Sequence, residues 1–253
     1  MTTPVLLIPG GAASATNYYP HLPQALADHP LVVVDRPGTG TRLKDGPATL
    51  AGGAAFWADA LRAVSSERAV VVGQSLGGAL ALQLAVDFPE LVAGLVLLDP
   101  TPFDDPALLR QVHRAFGVLG LPGRLPVVGG TLDRLLFKGM SRDLKDLSPE
   151  AQSSLETLVG SATLGQTASA IKDLPAEGAL LSPRLTDLGI PVVLVTADRK
   201  PGHRVRAKHD ALAATIGARV ETWPGCVHAM HLTHPDKVLS LVQSVLEETA
   251  VRA

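Results

Sequence analysis

Residues 69–86 read AVVVGQSLGGALALQLAV, and the reading of this stretch decides the fold. Ala69 to Val72 is a short apolar run suited to a buried strand, and Leu76 to Val86 forms a strongly apolar helix. Between them lies Gly73-Gln74-Ser75-Leu76-Gly77-Gly78, a serine with a glycine two positions to either side. A tight strand-to-helix turn crowds the backbone around such a serine; the glycines relieve the clash, and the turn lifts the hydroxyl clear of the sheet. The Leu76 N–H, at the helix start, then points toward negative charge developing beside Ser75. The bland alternative is a glycine-rich turn in which Ser75 merely caps the helix.

Working outward, short apolar runs alternate with helical patterns. Strands are expected at Pro4–Ile8, Leu31–Val34, Ala69–Val72 and Leu95–Leu98, with helices at about Tyr18–Ala27 and Thr49–Val64. After Pro100 the rhythm breaks. From Thr101 to about Pro183 seven prolines divide short helical patterns, and only Val127-Val128 hints at a strand. The alternation resumes with a strand at Ile190–Thr196, a helix at Arg204–Ile216, a strand at Ala218–Trp223, and a last helix from Pro235 to about Glu248. This pattern predicts a mostly parallel sheet covered by helices on both faces. The interruption is expected to lie over the C-terminal edge of that sheet, where ligands bind.

A serine hydroxyl needs a base. His228, in the loop GCVHAMHLTH before the last helix, is the best-placed imidazole, with His231 and His234 read as a polar loop residue and a helix neighbour. Three histidines so close invite a metal reading, but no H-E-x-x-H or other carboxylate-bearing motif accompanies them. An orienting carboxylate should complete the set. Asp198 and Asp99 both end strands, both precede the histidine, and sequence order does not choose between them. Pro9-Gly10-Gly11, after the first strand, can aim a backbone N–H at the same developing charge, with Gly11 as the expected donor. Asp35 is expected to fix the loop DRPGTG, and Cys226 to be a small buried filler.

Composition narrows the function. The chain of 253 residues is 46% hydrophobic and 18% charged, which suits a sizeable core rather than disorder. A net charge of -2 and 4% aromatics argue against a nucleic-acid or anionic-membrane surface. One cysteine makes neither an intrachain disulfide nor a thiolate metal site. No apolar run reaches the length of a membrane helix, and MTTPVLLIPGG lacks the basic start of a signal peptide, so the expected location is cytoplasmic.

Taken together, these segments resemble the α/β-hydrolase superfamily, of the lidded esterase, lipase and haloperoxidase-like type. LVVVDRPGTG is similar to the family's D-R-x-G-x-G loop, VVGQSLGGALALQLA to its nucleophile segment, LVLLDP to its next strand, and PGCVHAMHLTHPDKV to its histidine loop and last helix. The resemblance implies a sheet of about six parallel strands in the order second, first, third, fourth, fifth, sixth, without the family's N-terminal hairpin. It implies a core of residues 1–100 and 186–253, with a helical lid over 101–185. It carries over Ser75 as nucleophile, His228 as base, and Gly11 and Leu76 as oxyanion-hole donors. Asp198 leads as the acid because the family usually places it there, and Asp99 is the alternative because some members use the preceding strand. Three positions depart from the pattern: Pro9 in place of histidine, Gln74 before the nucleophile, and Arg199-Lys200 where the acid is usual. The implied activity is hydrolysis of a small or medium apolar acyl ester, without cofactor or metal. Leu108, Phe116, Leu135, Leu136 and Phe137 would wall the acyl site. The alternatives are a lyase or haloperoxidase-like enzyme on the same three residues, or a non-catalytic ligand-binding or scaffold protein.

Overall fold

The structure is a computed structural model that describes residues 2–46, 48–119, 144, 147–161 and 164–252. Its strands are β1 (Val5–Ile8), β2 (Leu31–Val32), β3 (Ala69–Gln74), β4 (Val92–Leu98), β5 (Val192–Thr196) and β6 (Arg219–Thr222). Its helices in the first part are α1 (Leu22–Ala25), α2 (Leu50–Val64), α3 (Leu76–Asp87) and α4 (Pro106–Leu119). There follow α5 (Pro149–Ser161), α6 (Leu164–Ala170), α7 (Leu174–Leu181), α8 (Arg204–Ile216), α9 (Met230–Thr233) and α10 (Pro235–Arg252). The strands make one sheet in the order β2-β1-β3-β4-β5-β6, as expected, and every neighbouring pair is parallel.

Successive side chains of a strand point to opposite faces, and here both faces are covered. Leu6, Ile8, Val71, Leu97 and Leu194 join one core cluster with residues of α2, α3 and α8. Val5, Leu7, Val70, Val72, Val96, Leu98, Val193 and Val195 join a second cluster with Leu22 of α1 and Val238, Val242 and Val245 of α10. Double burial is why the central strands read as unbroken apolar runs instead of alternating. The two edges differ: β2 has only two paired residues, and β6 carries Arg219 and Glu221, so neither offers a long apolar edge for another strand.

Several boundaries depart from the sequence reading for local reasons. The helix expected over Tyr18–Ala27 shrinks to Leu22–Ala25, because Pro20 and Pro23 fit only a helix start and both tyrosines spend their hydroxyls elsewhere. The second strand stops at Val32, ahead of the Asp35-Arg36-Pro37 turn, and Val34 is exposed. The fourth strand starts earlier, at Val92, and the last helix continues to Arg252. Between β4 and β5 the described residues contain α4 to α7 and a short 3-10 turn at Ser182–Arg184, with no strand. Val127-Val128 lies outside the described residues.

The parallel register sets the C-terminal ends of the central strands side by side: Ile8 and Leu97 both pair with Gly73, and Leu98 pairs with Gln74. The turn between β3 and α3 fits there only by close backbone contact. A Cβ on Gly77 would stand 2.4 Å from the Ile8 carbonyl oxygen, and one on Gly73 would stand 2.3 Å from the Gly77 carbonyl oxygen. Neither neighbour is a flexible side chain that could move aside. We therefore expect Gly77→Ala to cost about 3 kcal/mol or more in urea unfolding, or to abolish soluble expression. Gly189→Ala meets nothing within 4 Å and bears only the strain of φ +65°, so it should cost about 1 kcal/mol. Equal costs for the two would show that the turn is not crowded.

Candidate active site

Four chain segments meet beyond the C-terminal edge of the sheet. Ser75 sits between β3 and α3 at φ 53° and ψ -118°, a conformation that non-glycine residues rarely adopt. Its N–H donates to the Leu98 carbonyl at 3.0 Å, and its own carbonyl accepts from Gly78 N at 3.0 Å and Thr101 N at 2.9 Å. The side chain makes no capping bond, which disposes of the bland reading of this turn. The hydroxyl points into a cavity and has Thr101 Oγ1 as its partner at 3.3 Å.

His228 lines the same cavity. Its Nδ1 lies 2.5 Å from Asp99 Oδ2, which fixes the proton on Nδ1 and leaves the Nε2 lone pair free to accept. Asp99 follows β4 directly, has a buried side chain, and adopts φ 44°. Its other donors are the Ala197 N–H at 3.0 Å and the Arg199 guanidinium, which grips both carboxylate oxygens, Oδ2 at 2.6 Å. Burial alone would raise the Asp99 pKa. The hydrogen bonds and charges of Arg199 and His228 outweigh it and hold the carboxyl well below the usual carboxylate range.

Asp198, the carboxylate expected to lead, does not face the imidazole. It is exposed, its Oδ2 accepts from Gly225 N at 2.8 Å, and its N–H donates to the Cys226 carbonyl at 2.7 Å. The strand end turns Asp198 outward and Arg199 inward, so Asp198 ties down the histidine loop while Arg199 reaches Asp99. The alternative acid, Asp99, is the one beside His228.

The cavity measures about 580 Å³. Gly11, Leu76, Ser75, Asp99, Thr101, Arg199 and His228 line its sheet side, and Leu108, Leu109, Val112, Phe116, Leu155, Leu164 and Ile171 line the opposite wall. Leu135, Leu136 and Phe137 lie outside the described residues. The Gly11 N–H has no protein acceptor among the described residues, and Leu76 starts α3, where backbone N–H groups lack intrahelical acceptors. Among the described residues no group of three His, Cys, Asp or Glu side chains could hold a metal ion. No described helix is long and apolar enough to cross a membrane.

The family model described as "Alpha/beta hydrolase family" matches residues 5–241. The chain belongs to this family. Among solved α/β-hydrolase structures, it resembles MenH from S. aureus with a TM-score of 0.77, at 15% identity over 99% of this chain and 96% of that one. A thermophilic esterase from Thermogutta terrifontis gives a TM-score of 0.74, at 20% identity over 98% of this chain and 91% of that one. These two likenesses concern the fold alone. An uncharacterized protein of Mycobacterium tuberculosis is 29% identical over 204 residues, 76% of this chain. The chain spans 59% of the length of that relative.

Within this α/β-hydrolase site, several neighbours make contacts that the sequence reading did not assign. Gln74 links the elbow to the histidine loop: its Nε2 donates to the His228 carbonyl at 2.9 Å and stands 3.4 Å from the ring Nε2, while its Oε1 accepts from Tyr18 at 2.7 Å. Tyr18 was hidden in an expected helix, and Thr101 in no motif at all. His209, on α8, bonds Thr196 Oγ1 and the Pro100 carbonyl, bracing the ends of β4 and β5. Cys226 is buried as expected, and burial pushes its thiol up to about 12.

His231 departs most from its reading as a polar loop residue. It is 3% exposed, stacks on Tyr18 with ring centres 4.4 Å apart, and among the described residues has no hydrogen-bond partner on either ring nitrogen. Burial, with the nearby His228, lowers its pKa to about 3. In the unfolded chain a histidine takes up its proton near pH 6.5. Stability is therefore lost as pH falls below about 6.5, and the loss continues toward about 3. His231→Phe keeps a stacking ring and removes that titration. Urea unfolding should show the variant losing about 2 kcal/mol less than wild type between pH 7 and 5. Parallel losses in the two proteins would mean that His231 titrates normally.

Proposed function

We propose that this chain is a serine hydrolase that cleaves carboxylic esters with small or medium apolar acyl groups through a covalent acyl-enzyme. The observation that carries the reading is the 2.5 Å contact between His228 Nδ1 and the buried Asp99, in a cavity that also holds Ser75. Ser75 is the nucleophile, His228 the base and Asp99 the orienting acid. The contact between the buried Asp99 and His228 supports this reading over a non-catalytic binding protein.

With Nδ1–H committed to Asp99, His228 Nε2 accepts the Ser75 proton as Oγ attacks the acyl carbon. A rotation about the Ser75 side chain, away from Thr101, brings Oγ toward the imidazole. The Gly11 and Leu76 N–H groups hold the carbonyl oxygen as it becomes negative. His228 then protonates the departing alkoxide, and a water activated by the same imidazole hydrolyses the acyl-enzyme. The helical insertion acts as the lid, and its leucines, with Val112, Phe116 and Ile171, receive the acyl chain. No cofactor enters the scheme.

A fluorophosphonate probe followed by peptide mapping should label Ser75, and Ser75→Ala should abolish both labelling and ester turnover while the protein stays folded. Label on Cys226 would overturn the assignment. With p-nitrophenyl butyrate, Asp99→Asn should lower kcat by roughly 10³ to 10⁴ with KM little changed, since the imidazole loses both its tautomer and its charge partner. Asp198→Asn should stay within about 3-fold of wild type, the range of a loop hydrogen bond. The opposite ranking would move the acid to β5.

A further inference from the structure

Arg36 is a physical anomaly. It lies in the loop after β2 and is 2% exposed, yet among the described residues no carboxylate pairs with it. The adjacent Asp35 is committed elsewhere, to Ser14 Oγ at 2.8 Å, Ala15 N at 2.7 Å, Thr41 N at 2.7 Å and Thr41 Oγ1 at 2.9 Å. Among the described residues Arg36 Nε has no acceptor. Burial lowers its pKa to about 10, so the guanidinium remains charged at neutral pH. A buried cation without a counter-ion costs stability, and a nonpolar residue of similar size would cost less.

Among the described residues, the one hydrogen bond of the Arg36 guanidinium is to the Gly11 carbonyl oxygen, through a terminal nitrogen. Gly11 sits at φ +52° on the cavity wall, with Gly10, Ala12 and Ala13 beside it. The Gly10 carbonyl is likewise engaged, accepting from Ala13 N at 3.2 Å. In a trans peptide the N–H points opposite to the C=O. Holding these two carbonyls therefore sets the direction of the Gly11 and Ala12 N–H groups, and neither has a protein acceptor among the described residues. Two successive free N–H groups around a residue with positive φ form a concavity that favours anions.

We propose that Arg36 is a positioning residue for the oxyanion: it clamps the Gly11–Ala12 peptide and lends the site a positive charge that only the transition state offsets. The inference rests on the serine-hydrolase reading above. As the Ser75 Oγ–carbon bond forms, the carbonyl π pair moves onto oxygen, and it returns when the alkoxide leaves. The negative charge exists only between those events. A fixed cation one peptide away therefore favours the tetrahedral state over the neutral ester, which is the condition for raising kcat rather than tightening KM.

The test compares wild type with Arg36→Met, Arg36→Gln and Arg36→Lys. Butyl boronic acid, which becomes a tetrahedral anion on serine, serves as the transition-state probe, and butanol as the neutral control. Arg36→Met should lose about 10²-fold in kcat and a similar factor in boronate affinity, with KM and butanol inhibition little changed. Its melting temperature should stay at or above that of wild type, because an unpaired buried charge is gone. Arg36→Lys should recover most of the loss. If Arg36→Met does not fold, Arg36→Gln decides: it keeps a donor for Gly11 without the charge, and a loss of about 10-fold in boronate affinity is expected. Unchanged boronate affinity in the folded neutral variants would overturn the proposal, as would equal losses for boronate and butanol. Wild-type protein that is labelled by fluorophosphonate on Ser75 keeps the hydrolase reading in place whichever way the arginine variants behave. A wild type that is not labelled fails that reading first.

Discussion

The Asp99 carboxylate is the point at which the separate parts of the molecule are tied together. It ends β4, takes the Ala197 N–H from the end of β5, holds Arg199 from the next turn, and receives His228 from the loop after β6. These donors arrive from two segments, the turn after β5 and the loop after β6, each of which would otherwise be a free strand end or loop. A buried carboxylate without them would be expensive, because desolvation penalises its charge; with them it is held as the anion. Stability and site geometry thus share one set of bonds. The imidazole is oriented by the same group that fastens three strand ends.

Crowding supplies the other constraint. The elbow brings backbone oxygens of Ile8 and Gly77 into positions where even a methyl group has no room. This contact is possible because β1 and β3 pair in register up to Gly73, so that the loop after Ile8 and the start of α3 lie against each other. The Gly11 loop and the N-terminus of α3 consequently face the same small volume. Left-handed backbone at Ser75 and at Asp99 is the local cost of aiming both side chains over the sheet edge.

Much of this was legible in the sequence, for physical reasons that also explain the misses. The strands, the turn at Ser75 and the histidine at 228 rest on local patterns: apolar runs, a glycine-flanked serine, and a loop before a terminal helix; the strand order came from the resemblance to the α/β-hydrolase family. The carboxylate that faces His228 did not follow from such patterns, because Asp99 and Asp198 both end neighbouring strands, and only side-chain direction separates them. Arg199 occupies the inward position after β5, and no spacing rule foretells which of two adjacent residues turns inward. Tyr18 and His231 were invisible for a related reason. Their ring stack joins segments more than two hundred positions apart, and each alone looks like an ordinary polar residue of a helix or loop. The second-strand loop misled in length only, since an edge strand needs few paired residues.

Cys226 gives the histidine loop a property of a different kind. Its thiol is 2% exposed, held in its neutral form by burial, and its carbonyl is bonded to the Asp198 N–H, two residues before His228. As the sole cysteine of the chain, it is the one place where a maleimide could react, and only after the loop has lifted from the ends of β5 and β6. Reaction time at this sulfur is therefore a clock for loop opening, readable as the mass that each maleimide adds, and it runs in the intact protein on the segment that carries His228.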